Sequence, residues 1–290
     1  MHSTLAVLTW LTDPWQEALT RRALLEVVLL GVAGGALGCW LLFFNLAYSA
    51  ESLAHALLPG LVGAALLGLP LLLGGAAGLL VGAVAVAVAG RIDGLDRDTA
   101  VAVVVTGLFG LGVLLALSPE SPAGLQGLLF GDVLGVSDSD LLLAAGLVAV
   151  VLAALWVLHD RLLVVGFDRL SAAGLGVRPL AVDVALLVLL AVALLVAVQG
   201  LGNLLVVAVL MAPASAARLV TRRMGPMLLV SGLIAVLAGT GGLYLSYYAG
   251  TAAGASIAGM LVAVYVILAL GGGLVRAVVP RDRALAQPSA

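Results

Sequence analysis

Residues 181–211 read AVDVALLVLLAVALLVAVQGLGNLLVVAVLM, a largely apolar run interrupted by Gln199-Gly200-Leu201-Gly202-Asn203. A helix crossing about 30 Å of hydrocarbon needs roughly 20 apolar residues, so this run is too long for one upright helix. Residues 181–199 would rise about 28 Å, a full crossing, and residues 203–212 only about 15 Å, half of one. Broken backbone at membrane depth is tolerated only where protein or a water-filled cavity covers it. The stretch therefore predicts a crossing out and a partial return, with Gln199 and Asn203 beside a transport pathway.

The flanks set the direction. Arg161, Arg169 and Arg178 precede the run, and Arg218, Arg222 and Arg223 follow it. Cytoplasmic loops collect basic residues, so both flanks belong inside. Arg91 with Arg97, and Arg276 with Arg281 and Arg283, form two further clusters, whereas residues 69–70, 118–139 and 249–254 carry no base. Spans are predicted at 24–44, 50–68, 71–90, 99–117, 140–158, 226–248 and 255–278. Counting through gives eight or nine segments, nine with the N-terminus outside and the C-terminus inside. Arg21 and Arg22 then stand on the wrong side.

Composition agrees. The 290 residues are 63% hydrophobic and 10% charged, with mean hydropathy +1.27, against roughly 25% charged residues in soluble domains. The expected class is an all-α polytopic integral membrane protein. A net charge of −2 argues against a nucleic-acid partner, and the lone Cys39 excludes an intrachain disulfide. Asp13, Pro14, Gln16 and Glu17 interrupt the first 20 residues, so residues 1–23, with Trp10 and Trp15 flanking the polar cluster, are read as an interfacial segment rather than a signal peptide. Residues 24–279 form the membrane domain and 280–290 a cytoplasmic tail. Gly31, Gly34, Gly35 and Gly38, and Gly74, Gly78 and Gly82, are read as close helix-packing positions.

Glu51 and His55 stand out. They lie four apart in the second predicted span, on one helical face, and ionisable residues at membrane depth are functional candidates. Carboxylate with imidazole suits a borderline divalent ion. Two ligands do not complete a shell, so water, other helices or a partner would add to them, and Pro59 would free a backbone carbonyl nearby. The alternative is an interfacial Glu51 and a His55 bonded to a neighbouring helix. His159 is read as a solvated interfacial residue. Asp98 lies in an acidic run read as a solvated loop or as the cap of a helix starting at Thr99. Asp138 is read as a helix cap or as part of an outer acidic group with Asp132 and Asp140. Both Asp98 and Asp132 are candidates for supporting the pathway. Residues 212–225 form a cytoplasmic loop. Pro213 would open a short helix lying along the membrane, with Arg218, Arg222 and Arg223 as its rim.

Four segments resemble the permease subunits of the metal-ion ABC importer family. They are Leu46-Ala47-Tyr48 through Glu51 to His55-Ala56-Leu57-Leu58-Pro59-Gly60; Phe130-Gly131-Asp132 through Ser137 to Asp140-Leu141; Phe167-Asp168 through Gly174-Leu175-Gly176-Val177; and Pro213-Ala214-Ser215-Ala216-Ala217-Arg218-Leu219 with Thr221-Arg222-Arg223. The resemblance implies a type II importer permease in a bacterial cytoplasmic membrane, moving zinc, manganese or iron and holding no permanent cofactor. It also implies a homodimer, cytoplasmic ATP-binding cassette subunits and an extracytoplasmic metal-binding protein. Glu51 and His55 match ion-pathway positions, with Glu51 where the family usually has Asp. Pro213, Ala214, Ser215, Arg218, Thr221, Arg222 and Arg223 match the segment that docks on the ATPase. A permease for cobalamin or siderophore chelates shares the architecture but needs no acid–histidine pair. A cation-coupled secondary transporter would carry internal repeats and acids spread over several helices. No His-Glu-x-x-His, Gly-x-Ser-x-Gly or Walker A segment occurs, which argues against an enzyme.

Overall fold

The computed structural model describes residues 12–89, 97–119, 131 and 133–278. Its helices are α1 (Ala18–Phe43), α2 (Ala47–Leu66), α3 (Leu71–Ala89), α4 (Arg97–Ala116), α5 (Asp138–Phe167), α6 (Arg169–Gly174), α7 (Pro179–Val220), α8 (Met224–Ala249) and α9 (Ala253–Val278). Among the described residues there is no strand. Five helices, counting the first arm of α7, are long and apolar enough to cross a membrane, and three shorter apolar segments accompany them. The twenty-residue α2 carries Glu51 and His55. Over its described residues the protein is an all-helical, multi-pass membrane protein.

Helix α7 breaks where the sequence places its interruption. Gly202 sits at φ 75, ψ 162, outside any helical conformation, in a region that glycine enters without a Cβ clash. It divides α7 into a first arm, Pro179–Gly202, and a second, Leu205–Val220. The second arm is longer than expected. It runs through Pro213 without a stop and rises about 24 Å, so it is not a half-crossing and no separate helix starts at Pro213. The reason is packing. Ala214, Ala216 and Ala217 are fully buried, and the Gly38 backbone of α1 comes so close that a Cβ there would overlap the Leu210 carbonyl. Holding that contact outweighs the one backbone hydrogen bond the proline removes.

Two groups of helices meet at α7. In one, α3 and α4 pack on α2; in the other, α5 and α8 pack on α1, and α9 on α8. Leu24, Leu37, Trp40 and Leu41 of α1 are fully buried. Small residues set the spacing as expected: Gly31 and Gly35 face Ala235 and Ser231 of α8, and Gly60 of α2 meets Gly74 and Gly78 of α3. The Ser231 hydroxyl donates to the Gly35 carbonyl at 3.0 Å. Large apolar side chains cover the outside, Trp156 and Leu229 among them, as a lipid-facing surface requires.

Several local expectations change. Helix α1 begins at Ala18, so Arg21 and Arg22 belong to its first turns. Helix α5 continues past residue 158 to Phe167, and His159 packs edge-on against the Trp40 ring at 5.4 Å instead of lying free in solvent. Ser137, not Asp138, caps α5, in a reciprocal box with Asp140. Asp138 pairs with Arg22 at 2.8 Å.

Candidate functional site

Four residues make one turn of α2, and Glu51 and His55 meet there: His55 Nε2 lies 3.9 Å from Glu51 Oε1. That is too long for a hydrogen bond. The Glu51 side chain is 55% exposed and that of His55 20%, so they are neither a core pair nor a loose surface one. Phe109 of α4 flanks the imidazole with ring centres 4.6 Å apart, and His55 Nδ1 is buried with no hydrogen-bond partner. Pro59 stays inside α2 and has no N–H to give the His55 carbonyl four residues back. The turn thus presents carboxylate, imidazole and an unladdered carbonyl together.

Both side chains line a cavity of about 450 Å³. Its other walls are Val207, Ala208, Met211, Ala212 and Ser215 of the second arm of α7, and Val262 and Tyr265 of α9. The break at Gly202 aims the second arm across α2 and supplies this wall. Among the described residues no group of three or more His, Cys, Asp or Glu side chains could hold a metal ion. Any ion here would find one carboxylate and one imidazole, and otherwise hydroxyl, water, backbone or another molecule.

The supporting candidates scatter. Gln199 folds back, its Nε2 donating to the Leu195 carbonyl at 3.2 Å, and is absent from the cavity wall. Asp132 lies outside the described residues, as do the side chains of Asp98 and Asn203; Asp98 falls within the first turn of α4, which starts at Arg97. The docking candidates divide between core and surface. Pro213 and Ala214 are buried, Ser215 faces the cavity, and the Thr221 hydroxyl closes the end of α7 on the Ala217 carbonyl at 2.8 Å. Arg218, Arg222 and Arg223 are exposed, and Arg218 Nη1 reaches the Leu42 carbonyl at 3.4 Å. The basic end is therefore the tip of a long helix and the turn after it.

Sequence reasoning missed Glu26. It lies in α1 at 3% exposure, its Oε2 has no hydrogen-bond partner, and its Oε1 occupies the place a Cβ on Gly200 would take. A charge at membrane depth costs on the order of 2.5–3.5 kcal/mol on insertion scales. A single acid within the otherwise apolar residues 23–44 was the available signal.

The model of the ABC 3 transport family matches residues 16–271. The chain belongs to that family. It is 30% identical over 238 residues to the manganese import system permease protein ScaB of Streptococcus gordonii, covering 82% of this chain and 85% of the relative. It is also 30% identical over 267 residues to the probable iron transport system membrane protein of Haemophilus influenzae, covering 92% and 98%. Among solved structures, PsaBC from Streptococcus pneumoniae in complex with Fab superposes with a TM-score of 0.83 at 27% identity, covering 90% of this chain and 95% of that one. This permease is thus a multi-pass membrane subunit of an ABC transporter.

Proposed function

We propose that this permease imports a divalent transition metal ion, of the manganese, iron(II) and zinc class, across a bacterial cytoplasmic membrane, using Glu51 and His55 as its inner ion station. The observation that carries the reading is the 3.9 Å gap between Glu51 Oε1 and His55 Nε2 on the wall of the cavity. Metal–oxygen and metal–nitrogen bonds of about 2.0–2.2 Å let one ion touch both atoms with little rearrangement. Two protein ligands hold it briefly, because a closed shell would trap an ion that has to leave. The names of the relatives favour manganese or iron over zinc as the substrate.

In this reading the chain hydrolyses no ATP. Cytoplasmic ATPase subunits dock at Arg218, Arg222 and Arg223, and an extracytoplasmic binding protein delivers the metal. The half-exposed Glu51 faces a second copy of the chain. The test is radioactive manganese and iron uptake by the reconstituted complex carrying Glu51→Gln, His55→Ala or both. Each single variant should lose at least about tenfold in rate, and the double variant less than the product of the two, since both act on one ion. Native uptake by both single variants would make the pair structural and end the proposal.

A further inference from the structure

We infer that Glu26 is a second cation station, on the outer half of the route, where the break in α7 supplies backbone oxygen beside the carboxylate. The inference rests on the divalent metal being the cargo. Glu26 is buried in α1, and its Oε2 meets no donor. A buried carboxylate oxygen in a native structure has a partner, and here that partner is a cation or a proton. The only basic side chain one turn away on the same face, Arg22, is engaged by Asp138. Asp140, at the start of α5, is close enough for its charge to bear on Glu26. Its negative field favours a cation at this spot.

The backbone opposite is built to approach. Gly200 has no side chain where Glu26 Oε1 sits, and Gly202, two residues on, leaves the helix. Carbonyls in the turn before a break lose the donors four residues ahead and become available oxygen ligands. Gly131, at φ 78, presses on the other side of the same break, against the Leu201 carbonyl and Gly202 nitrogen. The break is held between α1 and Gly131.

A route continues inward. One and two turns below Glu26, Leu30 and Gly34 line a small apolar gap of about 20 Å³, walled on the other side by Val206, Val209 and Leu210 of the second arm. That is room for about one water. The opposite face of the same arm, at Val207 and Met211, lines the Glu51–His55 cavity. The second arm of α7 is therefore the partition between the two stations, and a cation at Glu26 waits until the arm moves.

The test counts bound ions with Mn²⁺ alone as probe, by the electron paramagnetic resonance amplitude of free Mn²⁺, on the permease assembled with its ATPase in lipid nanodiscs. The wild type should show two classes of site per permease chain. Glu26→Gln should remove one class and Glu51→Gln the other, while Glu26→Asp should keep both with the outer one weakened about tenfold. Lowering the pH should displace Mn²⁺ from the outer class in the wild type, where protons compete for Glu26. If the Glu26→Gln isotherm superimposes on the wild type while that of Glu51→Gln does not, Glu26 carries only a proton, and the station falls while the inner site stands. Loss confined to Glu26→Gln supports this station and overturns the inner one. A wild type that binds no Mn²⁺ defeats both. Should Glu26→Gln fail to assemble, Glu26→Asp decides, with unchanged affinity overturning the proposal.

Discussion

The contact between Gly38 and Leu210 holds the second arm of α7 in place, and a single methyl group should disturb it. A Cβ on Gly38 would overlap the Leu210 carbonyl and stand 3.1 Å from the Ala214 Cβ. Both neighbours belong to one rigid, buried helix, so neither can swing aside; α1 and the arm must separate. Overpacking of this kind costs about 1–3 kcal/mol. Overlap with a backbone atom puts the cost at the upper end of that range, and alanine in place of a helical glycine returns up to about 1 kcal/mol of propensity, so Gly38→Ala should destabilise by roughly 2 kcal/mol net. Gly146 of α5 is the internal control, since nothing lies within 4 Å of the position its Cβ would take. Gly146→Ala should be neutral or slightly stabilising. With about 2–4 °C per kcal/mol for a domain of this order, the monodisperse fraction surviving heating in detergent should drop at a temperature several degrees lower for Gly38→Ala, and not for Gly146→Ala. The displaced arm should also slow metal uptake, because its far face walls the cavity. Equal melting of the two variants would refute the close contact, and with it the account of why α7 runs through Pro213.

Three further outcomes are expected. Arg22→Ala and Asp138→Ala should each lower stability slightly, with a coupling of about 0.2–1 kcal/mol in a double-mutant cycle that disappears in 1 M salt; a coupling unchanged by salt would contradict an exposed pair. Asp168 accepts the Ser171 hydroxyl and the Ser171 and Leu170 amides, and these bonds hold its carboxyl below the ordinary value. A depressed carboxyl stabilises at neutral pH and loses that contribution as pH falls through its folded value, so the Leu170 and Ser171 amides should lose hydrogen-exchange protection on acidification below about pH 4, a loss that Asp168→Asn should shift or abolish. Arg218→Glu reverses charge at the exposed end of α7 and should abolish stimulation of the ATPase by delivered cargo while the permease still inserts; unchanged stimulation would remove Arg218 from docking.

The all-helical class, the break in α7 and the pairing of Glu51 with His55 were legible in the sequence because each depends on local chain properties. Apolar run length measures against bilayer thickness, glycine marks backbone that leaves the helix, and four-residue spacing puts two side chains on one face. The regular glycines likewise announced close packing. Where the second arm ends was not legible. Pro213 read alone suggests a helix start, and only the burial of Ala214 and Ala217 against α1 and α8 carries the helix on to Val220. Sequence distance also hid what tertiary structure joins: Arg22 with Asp138, His159 with Trp40, and Glu51 and His55 with the α7 and α9 residues that complete their cavity. Glu26 shows the difference most directly. The chain alone records one acid in an apolar run, and it takes the packing of α1 on Gly200 to leave that carboxylate buried, without a partner and against broken backbone. Propensity and hydropathy act between near neighbours, whereas enclosure is a property of helices meeting, and enclosure is what turns an ionisable residue into a site.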